Sequence, residues 1–412
     1  MERDVVISGM GVILPNCDSR ETLWRQLRDG RSQLSLIPDP ADPARTVPAG
    51  RIEGFRPGDY LREVPERLYA RYGRELQLYL ASLVLARDDA GIQAGDLVPE
   101  GVGLFDGTSR GPLEFWYDKF RQEVGRPADQ VYSRRDIVSG LNGECPGIAA
   151  SLFGFKGPTV AIAGSCVASS LAIGYAAREI CSGEIDVAFA TGHDAALLPA
   201  LYSMYRDAGL LSQETQDPGR ALRPYGNAPT LVFGEGAVTL VLEERERAER
   251  RGARTLARVR GMKHGNGGSH PTALDAEAER SVRILESLLG AADVDRERIG
   301  FVVGHGNGVP ISGMAEMNFM RRVFGERATR VPLLSTKPYY GHLLGGADAL
   351  SIAAAALMLQ HGHIIPALNA EAGLRANGWQ SFGGEASDCG MGLTFSYGMG
   401  GQQAAMLLER CP

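Results

Sequence analysis

The sequence predicts a layered α/β protein built from two related halves, and three observations carry that expectation. Short β-prone runs alternate with longer helical patterns along the chain. Several of the runs are almost continuously apolar, as strands buried on both faces of a sheet are. Two stretches, "AGSCVASSLAIGYAA" and "YYGHLLGGADALSIAAAA", share one design: a β-prone run upstream, then glycine, a reactive residue type and a helix of small residues. In that echo Cys166 stands where His342 stands in the second copy, which suggests a duplicated unit with two helix N-termini facing one site.

The elements follow in order. "DVVISGMGVILP" is a strand ending in a glycine turn, and "LYLASLVLARDDAG" repeats apolar residues at helical spacing and stops at glycine. "VGLFDGTSRG", "TVAIAG" and "DVAFATG" read as buried strands. "GAVTLVLEERERAERRGA" is a strand passing into a charged helix, and "FVVGHGNG" and "PLLSTK" are two further strands. "GADALSIAAAALMLQHG" is an alanine-rich helix, after which His361 and His363 are expected in a polar loop. "LTFSYGMGGQQAAMLLE" reads as a buried hairpin. Residues 110–150, with "EFWYDKFRQEV", are polar and aromatic and suit an insertion or a contact surface.

A chain of 412 residues can bury a large core or two fused halves. A net charge of −6 disfavours a general nucleic-acid or membrane-surface binder. No stretch resembles a transmembrane span, and "MERDVVISGMGV" is charged and then strand-like, unlike a signal peptide, so a cytoplasmic location is expected. The six cysteines (17, 145, 166, 181, 389 and 411) are scattered with no CxxC pair, and the seven histidines lack metal-ligand spacing. Reduced thiols and no metal site are expected.

Cys166 sits where an apolar run meets a helix. Unpaired amides and the positive end of the helix dipole favour a thiolate there and can stabilise an oxyanion, although a buried structural cysteine is the alternative. His305 follows the strand "FVVG" on a glycine-rich loop, and His342 lies in "GHLLGG", five residues after Lys337. A cysteine with two glycine-flanked imidazoles fits covalent acyl transfer. A buried Lys337 would tune its neighbours electrostatically. Glu235, in "FGEGA", is expected to be held by local groups and not simply solvated. "SYGMGG" lacks the GK[ST] ending of a P-loop, and no GxGxxG follows a strand, so no nucleotide cofactor is indicated.

Taken together and in order, "VVISGMGVILP", "AGSCVASSLAIGYAAREICSGEIDVAFATGHDA", "GLLS", "RPYGNAPTLVFGEGAVTLVLEERERAERRGA", "GHGNG", "LLSTKPYYGHLLGGADAL" and "FSYGMGG" resemble the β-ketoacyl-acyl-carrier-protein synthases of the thiolase-fold condensing enzymes. The resemblance implies a five-layer αβαβα fold of two duplicated halves: residues 1–250 with the nucleophile and 251–412 with the histidines and lysine. It implies Cys166 as the acyl acceptor, His305 and His342 as the pair supporting decarboxylation, and Lys337 as their organiser. The amides of Cys166 and Met399 match the oxyanion hole, and Asn307, Val309, Gly400 and Gly401 fall at positions that bind substrate or its pantetheine arm. No metal or redox cofactor is implied, because substrates arrive on the phosphopantetheine of an acyl carrier protein. The implied assembly is a homodimer, or a heterodimer with a paralogous chain-length factor.

This chain departs from the family pattern at several points. The usual His-Gly-Thr-Ser-Thr is His305-Gly306-Asn307-Gly308-Val309, and the usual Gly-Phe-Gly-Gly is Gly398-Met399-Gly400-Gly401. The acid expected nine residues after the second histidine is Ser351, with Asp348 as a substitute, and "RPFD" is "RPYG". These departures suggest a divergent member serving type II polyketide or other specialised metabolism. Two other readings stay open: a condensing-fold acyltransferase without decarboxylation, and a chain-length partner subunit, against which the presence of Cys166 speaks. For carrier docking, Arg178, Arg223, Arg321, Arg322 and Arg327 are candidates, with ordinary surface charge as the alternative.

Overall fold

The computed structural model describes residues 3–134, 136–268 and 274–411. Its main sheet has ten strands. The first five are β1 (Val5–Ile13), β2 (Val102–Thr108), β3 (Thr159–Ala163), β4 (Val187–Ala195) and β5 (Glu235–Glu244). The second five are β6 (Ala257–Asn266), β7 (Ile299–Val303), β8 (Leu333–Leu334), β9 (Met391–Gly398) and β10 (Gln402–Glu409). The spatial order is β8-β7-β9-β10-β6-β1-β5-β4-β2-β3. Each half therefore runs third-second-fourth-fifth-first from its outer edge inward. The directions match too: β2 is parallel to β3 and β4, as β7 is to β8 and β9, and the remaining pairs in each half are antiparallel. Two halves with one strand order are what a duplicated unit produces.

In the sheet, among the described residues, the two half-sheets are joined where Val5–Ile7 of β1 pairs antiparallel with Ala257–Val259 of β6. Between them lie helices α3 (Ala168–Ser182) and α6 (Ala347–His361), which pack on strands of both halves and on each other. Thirteen of the fifteen α6 residues are buried, so this helix has no solvent face and reads as apolar all round. Outside the N-terminal half, α1 (Arg74–Asp89) covers β1, β4 and β5; outside the C-terminal half, α4 (Glu279–Ala292) covers β6 and β10, with α5 (Pro310–Phe324) against it. Helix, sheet, helix pair, sheet and helix make the five layers. Among the described residues no helix is long and apolar enough to cross a membrane.

The duplication is visible in the backbone, in a register different from the one that residue types suggest. Each central helix has fifteen residues, follows a short 3₁₀ turn (Ser165–Val167 or Leu344–Gly346) and ends at a left-handed glycine, Gly183 or Gly362. Each turn begins with a non-glycine residue at positive φ, Ser165 at 55° and Leu344 at 47°. The structural counterpart of Cys166 is thus Gly345, and His342 lies three residues before it.

Two other expectations change. Strand β3 is not buried on both faces: Thr159, Val160 and Ala163 are exposed, because β3 is the outermost strand of its half and no described strand pairs with its outer edge. His361 ends α6 and His363 opens a two-residue strand, both against Trp24, with the His361 ring stacked on the indole at 4.3 Å. They are therefore packed groups, not part of a polar loop. The first part of the 110–150 stretch carries an exposed apolar face, while Cys145, Ile148 and Ala149 near its end join the core. Helix α2 (Leu113–Glu123) has no buried residue, and Trp116, Phe120, Val124, Ile137, Val138 and Leu141 are exposed.

The central helices sit very close to the sheet. A Cβ added at Gly107 of β2 would lie 2.5 Å from Ser169 N and 2.6 Å from Ala168 C, at the first turn of α3. Gly107→Ala is expected to push this turn off the sheet and to lower stability by about 1–3 kcal/mol. Chemical denaturation with an unchanged m-value checks it.

Candidate active site

Cys166 lies in the 3₁₀ turn ahead of α3, beside the left-handed Ser165, and its side chain is buried. A non-glycine residue in that backbone region costs free energy and persists only where the surroundings enforce it. Here the enforced turn aims the thiol into a cavity of about 370 Å³. His305, Asn307, Val309, His342, Met399 and Gly401 line the same cavity, with Tyr205, Tyr397 and several aliphatic side chains. The structure thus brings Cys166 together with both predicted histidines, although they come from three separate segments.

His305 follows β7, as its strand-end position predicts. His342 is fixed by its backbone: its amide donates to Val232 O at 2.7 Å, and its carbonyl accepts from Gly234 N at 3.1 Å. Gly341, with φ at 81°, lets this segment run against Phe233, where a Cβ would stand 2.7 Å from the carbonyl oxygen. The two imidazoles meet edge to face with centroids 5.5 Å apart. Leu344 N donates to His342 Nδ1 at 3.2 Å, which leaves the ring proton on Nε2. Burial pushes both imidazoles well below the usual histidine range, and the neighbouring Lys337 charge pushes them further. Both are neutral at pH 7.

Lys337 is buried at the start of a single helical turn, Lys337–Tyr340. Burial lowers its pKa, while Asp348, Glu316 and Cys166 draw it back up. Ser351 does not face it; its hydroxyl pairs with Thr336 Oγ1 at 3.2 Å and with Ala347 O. Asp348, one turn earlier in α6, is the principal counter-charge, and Ser396 Oγ donates to its carboxylate. Sequence reading missed Glu316 of α5. This buried carboxylate accepts from Gly306 N at 2.8 Å and from Tyr225 Oη at 3.1 Å, so it fixes the loop directly after His305. Burial pushes it up to about 7, against the pull of the Gly306 amide, Lys337 and Tyr225. An acid inside the apolar helical run "GMAEMNFM" was the available signal.

The remaining predicted residues are placed as follows. Asn307 uses Oδ1 to accept from Val309 N at 3.0 Å, closing its own loop. Met399 is half-exposed at the cavity, with Tyr205 Oη donating to its sulfur at 3.7 Å. Gly398 approaches Cys166 N closely, a built Cβ there standing 3.5 Å from it. Gly400 does not line the cavity; its carbonyl accepts from Asn266 Nδ2 at 2.6 Å. Glu235 is remote from Cys166, paired with Arg74 at 2.9 Å and accepting from Ile52 N at 2.9 Å.

With this geometry in place, comparison with known proteins is direct. Residues 2–248 match the family described as the N-terminal domain of beta-ketoacyl synthase, and residues 256–371 match its C-terminal domain. The chain belongs to the β-ketoacyl synthase family. It is 28% identical over 419 residues to 3-oxoacyl-[acyl-carrier-protein] synthase 2 of Vibrio cholerae, covering 99% of each chain. It is 29% identical over 378 residues to the ketoacyl synthase alpha subunit of the tetracenomycin polyketide synthase of Streptomyces glaucescens, covering 90% of this chain and 88% of that one. Among solved structures, the ishigamide ketosynthase/chain length factor superposes with a TM-score of 0.88 at 26% identity, covering both chains fully. A beta-ketoacyl synthase from Burkholderia phymatum gives 0.87 at 27%, also with full coverage. This β-ketoacyl synthase is an acyltransferase by family and a thiolase-fold protein by architecture.

One expectation about this site changes. The helix start does not make Cys166 a resting thiolate. Burial pushes the thiol up to about 11, and the Ser165 hydroxyl and Lys337 charge offset only part of that rise. Because the raised pKa keeps the thiol protonated, alkylation of Cys166 in the free enzyme should climb about tenfold per pH unit from about pH 7 to about pH 9. Peptide mass spectrometry after timed iodoacetamide exposure checks this, and a rate already level near neutral pH contradicts it.

Proposed function

We propose that the chain carries out decarboxylative Claisen condensation between an acyl group held on Cys166 and a malonyl group carried by an acyl carrier protein. The observation that carries this reading is the sharing of one cavity by the Cys166 thiol and two neutral imidazoles, with the buried Lys337 close enough behind it to act electrostatically on all three. In the first half-reaction the Cys166 sulfur attacks the carrier thioester. The carrier thiolate leaves, and the proton of the Cys166 thiol ends on it. The amides of Cys166 and Met399 are the donors suited to the oxyanion formed on the way.

In the second half-reaction malonyl thioester occupies the other side of the cavity. His342, protonated on Nε2, is a hydrogen-bond donor suited to the thioester carbonyl, and His305 lies beside it. Negative charge develops on that carbonyl as the C–C bond to the carboxylate breaks and CO₂ leaves. The resulting enolate carbon attacks the acyl-Cys166 carbonyl, and Cys166 departs as thiolate and regains a proton. Neutral imidazoles donate hydrogen bonds without placing a formal cation against the departing carboxylate. Lys337, with the Asp348 and Glu316 carboxyls acting on it electrostatically, supplies the positive field behind them. No step requires a redox group, since the bond to the carboxyl group provides the electron pair.

Residues 1–250 then serve as the half carrying the nucleophile and 251–412 as the half carrying His305, Lys337 and His342. Asn307, Val309 and Gly401, which line the cavity, are assigned to the pantetheine arm, and Gly400, outside the cavity, to the Asn266 contact beside them. A second chain, identical or a paralogous chain-length factor, is the natural cover for β3 and for the exposed aromatic face at Trp116 and Phe120, because an uncovered sheet edge templates pairing. The candidate carrier-docking arginines divide. Arg321, Arg322 and Arg327 are tied to the carbonyls of Asn377, Glu277 and Ile299, and Arg223 lies 3.6 Å from Glu214. Arg178 stacks over Tyr175.

A paired assay tests the reading. With acyl-carrier and malonyl-carrier substrates, Cys166→Ala should show no covalent acyl adduct by intact-protein mass spectrometry. His305→Ala should load normally and lose CO₂ release by at least about a hundredfold. Acyl loading on Cys166→Ala refutes the nucleophile, and acyl transfer without CO₂ from the unaltered chain favours the simple acyltransferase.

A further inference from the structure

A second cluster of titratable side chains lies outside the Cys166 cavity, within the N-terminal half. Asp106 comes from β2, His193 from β4, and Cys145 from the helix Glu144–Phe153. All three are buried, and their carboxylate, imidazole and thiol donor atoms lie within 4.8 Å of one another. Two more buried acids border them, Glu75 and Glu144. His193 Nε2 stands 2.8 Å from Asp106 Oδ1, and His193 Nδ1 stands 3.3 Å from Glu75 Oε1. Yet among the described residues neither ring nitrogen, neither Asp106 oxygen nor Glu144 Oε2 makes a well-directed hydrogen bond. His193 is thus at ion-pair distance from two acids, but the contacts lack hydrogen-bond direction.

Uncompensated charge in a core is costly, and buried acids are normally paired or bound to metal. Here several acids surround one imidazole. A cation between them would accept the converging lone pairs and balance the charge. One thiol, one imidazole and a carboxylate form a mixed S/N/O donor set, which suits a zinc-class ion. Calcium and magnesium take oxygen donors instead. The second nitrogen of His193 faces the Glu75 carboxylate, which Thr108 Oγ1 supports at 3.3 Å. A carboxylate behind a ligating imidazole fixes its tautomer and orientation.

We propose that Asp106, Cys145 and His193 bind one divalent cation of the zinc class, the buried Glu144 adding a further acid beside them. Cys145 binds as thiolate, its proton passing to solvent. The cation ties β2, β4 and the helix Glu144–Phe153 together. It also stiffens the strand that carries Asp194, which accepts from the amides of Ser109 and Gly345. Gly345 lies in the turn after His342, so the cluster supports the catalytic layer from behind without touching substrate.

The full chain, purified without chelator, is assayed for metal by plasma mass spectrometry, then stripped and titrated with Zn²⁺ and Co²⁺. One equivalent per chain is expected, with a thiolate-to-cobalt charge-transfer band that survives Cys166→Ala and disappears in Cys145→Val. Asp106→Asn, which preserves shape, should weaken Co²⁺ binding about tenfold or more. The thermal midpoint of the unaltered chain should rise on adding Zn²⁺, while that of Asp106→Asn should move less. A stripped, folded chain that takes up neither ion overturns the proposal. So does unchanged affinity in Asp106→Asn, or a band retained in a folded Cys145→Val.

Discussion

The rest of the structure depends on the close approach of two small-residue helices to the strands that enclose them. Helices α3 and α6 fill the space between half-sheets joined by a three-residue pairing. Alanine, glycine and serine are needed on these faces because backbone meets backbone there. Gly107 against the first turn of α3 is one such contact, while Gly192 leaves room for the side chains of Ser169 and Ala349. The same packing draws the N-terminal turns of both helices towards one point, where the reactive groups collect. Core volume and site geometry are consequently one constraint, and a methyl group added at the seam perturbs both.

The electrostatic character of the site follows from that burial. Desolvation is the largest influence on Cys166, His305, His342, Lys337, Asp348 and Glu316. It favours each group's neutral form, so the resting site has a protonated thiol and two neutral rings. For Lys337 the charges of Asp348 and Glu316 offset part of that effect, and these acids are held by Ser396, Tyr225 and Gly306. A low-dielectric site keeps its donors oriented before charge develops, and oriented donors stabilise an oxyanion or enolate more than water can. In the proposed reaction the helix dipole at Cys166 acts on the oxyanion and is not a source of resting thiolate.

Much of this was legible in the sequence, and the boundary is physical. Cys166, His305 and His342 stood out because each reactive residue type sits beside glycine after an apolar run, where strand ends project side chains into a site. The strands were readable from apolar continuity. Continuity could not show that β3 is an edge, because neighbour order in a sheet is a tertiary fact. Glu316 and Tyr225 were missed because they act by packing across elements, with no local spacing to mark them. Asp348 was foreseen only as a substitute for Ser351, and the direction in which each leaves α6 decided between them. Asp106, Cys145 and His193 come from three segments, so a search for ligand spacing could not unite them.

The two halves use one backbone device for different purposes. Ser165 and Leu344 occupy the same left-handed position ahead of matched fifteen-residue helices. In the first half the next residue is Cys166, whose thiol enters the cavity. In the second it is Gly345, whose amide binds Asp194 of the first half and whose Cβ, if present, would meet Ser109 N at 2.4 Å. A side chain at that point would separate the halves. The second half therefore cannot carry a nucleophile at the equivalent position without losing the contact that holds the two turns together. Its reactive group comes instead from His342, three residues earlier, where Gly341 gives the backbone room to pass Phe233. Close packing at the pseudo-symmetric seam is thus what divides the labour, with the thiol on one half and the hydrogen-bond donors on the other.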